Sequence, residues 1–252
     1  MLQIHRHADD VVEIRLDRAP VNALNPELVR TLAETIDAQT RDGAGALVLS
    51  GRPGMFSAGL DVPELLGLDE AGMRAFWQDF FGLLGRVAAS PIPVVAALTG
   101  HSPAGGTVIA LYADYRVQAE GSFRLGLNEV QVGLVVPPVI HQGLVRLLGT
   151  YAAERHLVAG EMIPAEQALK VGLVDEIVAP DQVVEAAVAW CRRHLALPRQ
   201  AMLATRALCR ADLAAAFEDA ATLDVDGFVR GWFAEETQAT MRALVERLKK
   251  GG

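Results

Sequence analysis

The chain has 252 residues, 51% hydrophobic and 21% charged, a composition that allows a sizeable core and excludes a disordered or fibrous protein. The formal net charge is −8, and clustered cations occur only at Arg192-Arg193 and Lys249-Lys250. No basic stripe can track phosphates, so nucleic acid is not an expected partner.

The opening stretch MLQIHRHADDVVEIRL reaches acidic residues by position 9 and lacks the apolar core of a signal peptide. No apolar run approaches a membrane span, so no membrane partner is expected. Lysine occurs only at 170, 249 and 250 while arginine is abundant, a bias that suggests a bacterial protein, and a cytoplasmic one is expected. From residue 11 to about 178, the β-branched runs VVEIRL, ALVLS, IPVVAAL, DYRVQA and VDEIV alternate with helical patterns such as PELVRTLAETIDAQ and AEQALKVG. That alternation predicts an α/β fold with a largely buried sheet. From about 181 onward strand signals vanish and periodic Ala-, Leu- and Arg-rich segments take over. The expected organisation is one domain, with a core over 1–180 and a helical region over 181–252 that packs on the core or on a neighbouring subunit. Cys191 and Cys209 both fall in this helical part, which predicts reduced, buried thiols.

Two loops share one design. FSAGLDVPEL (56–65) turns at Gly59 and enters a helix with Asp61 and Glu64 at capping-box spacing. SPAGGTVIAL (102–111) turns at Gly105 and Gly106 and does the same. Each loop offers free backbone N–H groups at a helix start, where negative charge is favoured. The glycines have two readings: a plain turn before a buried helix, or a close approach of main chain to a ligand.

Taken with VNALN (21–25), AAERHLVAGEMIPAEQALKVGLVDEIV (152–178) and the closing FVRGWFAEETQATMRALVERLKK, these loops make nearly the whole chain resemble the crotonase, or enoyl-CoA hydratase/isomerase, superfamily. The resemblance implies a spiral of ββα units with C-terminal helices, a homotrimer or dimer of trimers, and an acyl-CoA substrate whose coenzyme A is the only cofactor-like group. It also implies an oxyanion hole for the thioester, built from the backbone N–H groups of Leu60 and Gly105. Ala23 and Leu24 would meet coenzyme A, Ala58, Gly59, Asp61 and Val62 would line the thioester site, and Asn128, beside the base, either touches substrate or serves as a turn residue. Asp61 is read mainly as a helix cap. Arg18, Arg52, Lys249 and Lys250 are the candidate counter-ions for coenzyme A phosphates. The histidines lack metal-ligand spacing and no metal is expected; His101, next to the oxyanion loop, is read as a polar loop residue.

Hydratases of this superfamily use two glutamates. Here the first of those positions is Val108 and the second is Glu129, in LGLNEVQVGL (125–134). One carboxylate in an apolar site suits moving a proton between two carbons of one substrate. With PAGG and GLNE, this makes the chain look like the mitochondrial type of Δ3,Δ2-enoyl-CoA isomerase, an enzyme of fatty acid degradation, with Glu129 as its catalytic group. Burial among Leu127, Val130 and Val135 is expected to raise the carboxyl pKa. The alternatives are a hydratase or another acyl-CoA enzyme, with Glu64 as an unseen second acid, and a family member that binds acyl-CoA without transforming it.

Overall fold

The computed structural model describes residues 1–250, without the side chains of residues 248 and 250. In chain order the first half comprises β1 (Leu2–Arg6), β2 (Val11–Leu16), α1 (Pro26–Arg41), β3 (Ala46–Ser50), β4 (Gly54–Met55), α2 (Val62–Leu65), α3 (Glu70–Ala88), β5 (Val94–Leu98), β6 (Gly100–Pro103) and α4 (Gly105–Leu111). Then come β7 (Tyr115–Ala119), β8 (Arg124–Gly126), a 3-10 turn (Glu129–Val132), α5 (Pro138–Leu148), α6 (Thr150–Ala159), β9 (Ile163–Pro164), α7 (Ala165–Val171) and β10 (Glu176–Val178). The helices α8 (Val183–Leu195), α9 (Arg199–Cys209), α10 (Ala211–Ala215), α11 (Ala220–Leu223), α12 (Val225–Trp232) and α13 (Glu235–Lys250) follow.

Two sheets share the chain. The larger has the order β1-β2-β3-β5-β7-β10, with β1 antiparallel and the remaining pairs parallel. The smaller has the order β4-β6-β8-β9, with only β9 antiparallel. Because β3, β5 and β7 are neighbours in one sheet while β4, β6 and β8 are neighbours in the other, each turn of chain adds one strand to each sheet. The result is the expected spiral of ββα units.

The central strands β3 and β5 of the large sheet are buried on both faces, which is why ALVLS and VVAAL read as nearly uninterrupted hydrophobic runs. On one face Val12, Ile14, Leu47, Leu49, Ala96 and Leu98 join the main core with α1 and α3; on the other Val11, Ala46, Val48, Val95, Ala97 and Val117 pack against Val183, Ala187, Val188 and Cys191 of α8. Phe228, Val229 and Trp232 of FVRGWF are buried, and the ring of Phe228 lies 4.0 Å from that of Trp77 on α3. Cys191 is buried as expected, but Cys209 is exposed: no residue of α9 is buried.

The C-terminal helices are fastened to the core through Asp114. Its carboxylate receives two hydrogen bonds from Arg206 at 2.8 Å each and pairs with Arg210 at 3.3 Å, while also accepting the amide of Val94 at 2.8 Å. Burial lowers the Arg210 pKa to about 10, against the opposing pull of Asp114.

Candidate active site

The two glycine-bearing loops meet at the junction of the sheets and open a cavity of about 580 Å³. Its walls carry Ala23, Ala58, Leu60, Asp61, Val62, Gly105, Val108, Asn128 and Glu129, together with Trp77, Phe80, Pro137, Ile140, Phe228, Met241 and Leu244. A wider groove of about 750 Å³ lies between α1, α3 and α10. Its Asp37 and Arg86 are already paired with each other at 2.8 Å, and it shares no wall residue with the cavity.

The amides of Leu60 and Gly105 make no hydrogen bond to a main-chain acceptor outside their own elements. The loops carrying them are tightly opposed. Gly59 has φ +83°, and a Cβ there would stand 3.1 Å from the Pro103 carbonyl oxygen and 3.4 Å from the Gly105 nitrogen; a side chain would crowd the donor itself. Gly59 forms no part of the cavity wall; it shapes the wall from behind. Ala104, between Pro103 and Gly105, has the strained pair φ 44°, ψ −117°, a conformation that persists only when its surroundings impose it. The 56–60 loop is held by Ser57, which donates to the Asn22 carbonyl at 2.8 Å and accepts the Gly59 amide at 3.2 Å. Asn22 is itself left-handed at φ 53°, and its side-chain amide donates to Leu16 and Phe56 carbonyls.

Glu129 opens the 3-10 turn and is 8% exposed, with Oε2 buried and unpartnered. Loss of hydration pushes its pKa up to about 7, against a weaker lowering by its own amide. Of the three apolar residues expected around it, Leu127 is buried and the two valines are not. Val130 is 41% and Val135 81% exposed, because three residues per turn put position 132, not 130, on the face of position 129. Val132, Leu134 and Val108 face the cavity with Glu129. Asn128 also lines it, with φ −111° and a buried, unpartnered Oδ1; it is not a left-handed turn residue.

Asp61 accepts the Glu64 amide at 3.2 Å as a helix cap and pairs with Arg18 at 2.7 Å. Glu64 is not on the cavity wall. It pairs with Arg18 at 3.1 Å and accepts the Asn25 side-chain amide at 3.0 Å, so the arrangement gives it no place as a second acid. Leu24 is also corrected. Its amide donates to the Gly59 carbonyl and its carbonyl accepts the Asp61 amide, its side chain is fully buried, and it is not on the cavity wall. Ala23 does reach the cavity, with its carbonyl accepting Arg18 at 3.0 Å.

Among the other candidate counter-ions, Arg52 pairs with Asp17 at 3.6 Å and Lys249 with Glu246 at 3.0 Å; the Lys250 side chain lies outside those described. His101 accepts the Arg124 amide at 3.2 Å and packs edge-on to Phe123, away from the cavity. Among the described residues no group of three or more His, Cys, Asp or Glu side chains could hold a metal, and no helix is long and apolar enough to cross a membrane.

The sequence reading did not anticipate Pro137, Ile140, Phe228, Met241 or Leu244 on the cavity wall; Trp77 and Phe80 belong to the Leu-, Phe- and Trp-rich stretch 65–90, which on sequence alone either lines an acyl tunnel or packs in the core. Arg18, weighed only as a phosphate partner, is the partner of Asp61. The asparagine of VNALN is the one local signal for the Asn22 anchor.

A ββα spiral whose turns bring two amide-bearing loops over a solitary buried acid defines a crotonase-fold enzyme. The chain belongs to the enoyl-CoA hydratase/isomerase family, whose sequence model matches residues 6–251. It is 33% identical over 243 residues to human mitochondrial enoyl-CoA delta isomerase 1, covering 95% of this chain and 80% of that protein. It is also 38% identical over 193 residues to a probable enoyl-CoA hydratase of Mycobacterium avium, covering 76% of this chain and 75% of the relative. The crystal structure of human mitochondrial delta3-delta2-enoyl-CoA isomerase superposes with a TM-score of 0.94 at 32% identity, covering 99% of this chain and 98% of that one. A Mycobacterium ulcerans enoyl-CoA hydratase superposes at 0.82 and 32% identity, covering 90% and 98%.

Proposed function

We propose that this protein is a Δ3,Δ2-enoyl-CoA isomerase acting in fatty acid degradation. The observation that carries the reading is the solitary state of Glu129: the cavity wall presents only two carboxylates among the described residues, and the other, Asp61, is bound to Arg18. The thioester carbonyl of a 3-enoyl-CoA would sit between the amides of Leu60 and Gly105. Glu129 takes a proton from C2, the electrons move onto the carbonyl oxygen as a dienolate, and the same proton returns at C4, leaving the double bond between C2 and C3. Charge develops on that oxygen only during reaction, so two aimed amides lower the barrier selectively. A carboxyl with pKa about 7 is well matched to giving and taking one proton at neutral pH. Val108, where a hydratase would carry its other acid, keeps the site apolar and offers no second group to hold water.

No cofactor is required beyond the coenzyme A of the substrate, and no metal takes part. Ala23, Ala58, Asp61, Val62 and Asn128 are proposed substrate contacts, and the protein is proposed to be cytoplasmic and to work as a trimer or dimer of trimers. The hydratase reading is favoured by the Mycobacterium avium relative and would enlist Asp61. A 3-enoyl-CoA and, separately, a trans-2-enoyl-CoA distinguish the two when the ultraviolet absorbance of the conjugated thioester is followed. A rise with the first and almost no fall with the second is the isomerase result; a rapid fall with the second is the hydratase result. Acyl-CoA binding without change in either assay is the outcome for a family member that only binds.

A further inference from the structure

The reaction needs two groups from successive turns of the spiral at a fixed separation: the Gly105 amide at the start of α4 and the Glu129 carboxyl just beyond β8. One side chain joins the segments that carry them. Thr107, 1% exposed, donates from Oγ1 to the Ser102 carbonyl of β6 and accepts the Gly126 amide of β8 at 2.9 Å. The neighbouring main-chain bond, from the Ala104 amide to the Gly126 carbonyl at 2.8 Å, runs from the strained residue of the oxyanion loop to the same glycine. Pro103 is the register partner of Gly126 and has no N–H to add to the pairing. Gly126 has no freedom on its far side, since a Cβ there would fall 2.3 Å from the Glu161 carbonyl oxygen.

We propose that Thr107 is a positioning residue: its hydroxyl, interposed between the Gly126 amide and the Ser102 carbonyl, holds the Glu129 segment in register with the Gly105 amide. The residue touches neither substrate nor reacting atoms. A valine of nearly the same shape would leave two buried main-chain groups unpaired and let β8 drift from α4. Displacement of a reacting group by about 1 Å costs on the order of 100-fold in rate.

This inference rests on the proposed reaction for its activity readout, so the test carries a second one. Thr107→Val, Thr107→Cys and Thr107→Ser are compared with the native enzyme for kcat and KM on a 3-enoyl-CoA, and for hydrogen–deuterium exchange at the Gly126 amide. Expected are a 10- to 100-fold lower kcat for the Val and Cys variants with KM within about threefold, near-native kcat for Ser, and at least tenfold faster exchange at Gly126 in Val and Cys only. Native kcat in the Val and Cys variants, or a Ser variant as impaired as Val, overturns the proposal. If the Val protein does not fold, the Cys-to-Ser comparison decides. If the native protein is inactive on the 3-enoyl-CoA, the functional reading fails. The tether is then judged by exchange alone, with equal rates in Cys and Ser overturning it.

Discussion

Glu13 and Glu129 are both buried, at 1% and 8% exposure, yet they titrate in opposite directions. Glu13, on β2, also suffers a desolvation penalty, but Ser50 donates to it at 2.6 Å and Arg15 and His7 stand at 3.0 and 3.2 Å. Those partners overcome desolvation, and its pKa is lowered. Glu129 has a cavity in front of it and no partner on Oε2, and its pKa rises to about 7. Burial therefore does not make a base. Burial without a partner raises a carboxyl's proton affinity, and among the described residues that combination occurs at Glu129, where the two loops converge.

The most direct way to break the contrast is to remove the solitary charge. Glu129→Gln is expected to lower kcat on a 3-enoyl-CoA by up to about 10⁴-fold with acyl-CoA affinity preserved, as measured by turnover and by calorimetric titration. Gly59→Ala leaves the acid in place but pushes a methyl toward the Gly105 amide. The expected loss in kcat is about 10²- to 10³-fold, that of one oxyanion donor, checked by single-turnover absorbance.

Giving Glu129 a neighbour tests the same idea from the other side. In the native enzyme kcat/KM should rise with pH through a value near 7, because the base must be ionised. Val108→Glu should move that limb upward by about one pH unit or more, since two carboxylates in one apolar site do not ionise together. Isomerase rate at pH 7 then falls roughly tenfold, and hydration of a trans-2-enoyl-CoA emerges.

The smallest effects are on stability, and their signs differ. For Glu129 the folded pKa of about 7 exceeds the reference 4.5, so the folded state holds the extra proton between those values and stability falls as pH rises through that window. Glu129→Gln should therefore stabilise the fold at pH 8, by up to about 3 kcal/mol. For Glu13 the folded pKa lies below 4.5, so its contribution is in place above that value and is lost as pH falls through the folded pKa. Glu13→Gln should destabilise by about 1–3 kcal/mol at neutral pH. Thermal midpoints of both variants across pH 4 to 8 check the two signs together.

The same contrast explains what could be read from the chain. Strands β2, β3, β5 and β7 were legible because they lie inside the large sheet and are mostly buried, while β10, a three-residue edge strand, was legible only through the VDEIV run that contains it. Strands β4, β6, β8 and β9 run for only two to four residues, too short for any period to declare itself. β1 lies at the edge of its sheet, and LQIHR is mostly exposed. At the site, Leu60, Gly105, Asp61 and Glu129 were found through motifs that occupy contiguous residues. The closing aromatic and aliphatic wall was not, because Phe228, Met241 and Leu244 acquire that role only by folding back across the molecule. Leu24 illustrates the opposite error. Its loop was identified, but sequence does not reveal that both of its main-chain groups are already engaged.

Helix α13 supplies Met241 and Leu244 to the cavity, and its Thr237 hydroxyl donates to the Gly133 carbonyl at 2.7 Å, just past the turn that carries Glu129. The pocket thus spans the chain from Arg18 to Leu244, and order of synthesis becomes order of assembly. A chain made only as far as α12 holds Leu60, Gly105 and Glu129 but lacks the Met241 and Leu244 side of the cavity. The cavity wall is therefore complete only once α13 docks, after every other part of that wall has been made.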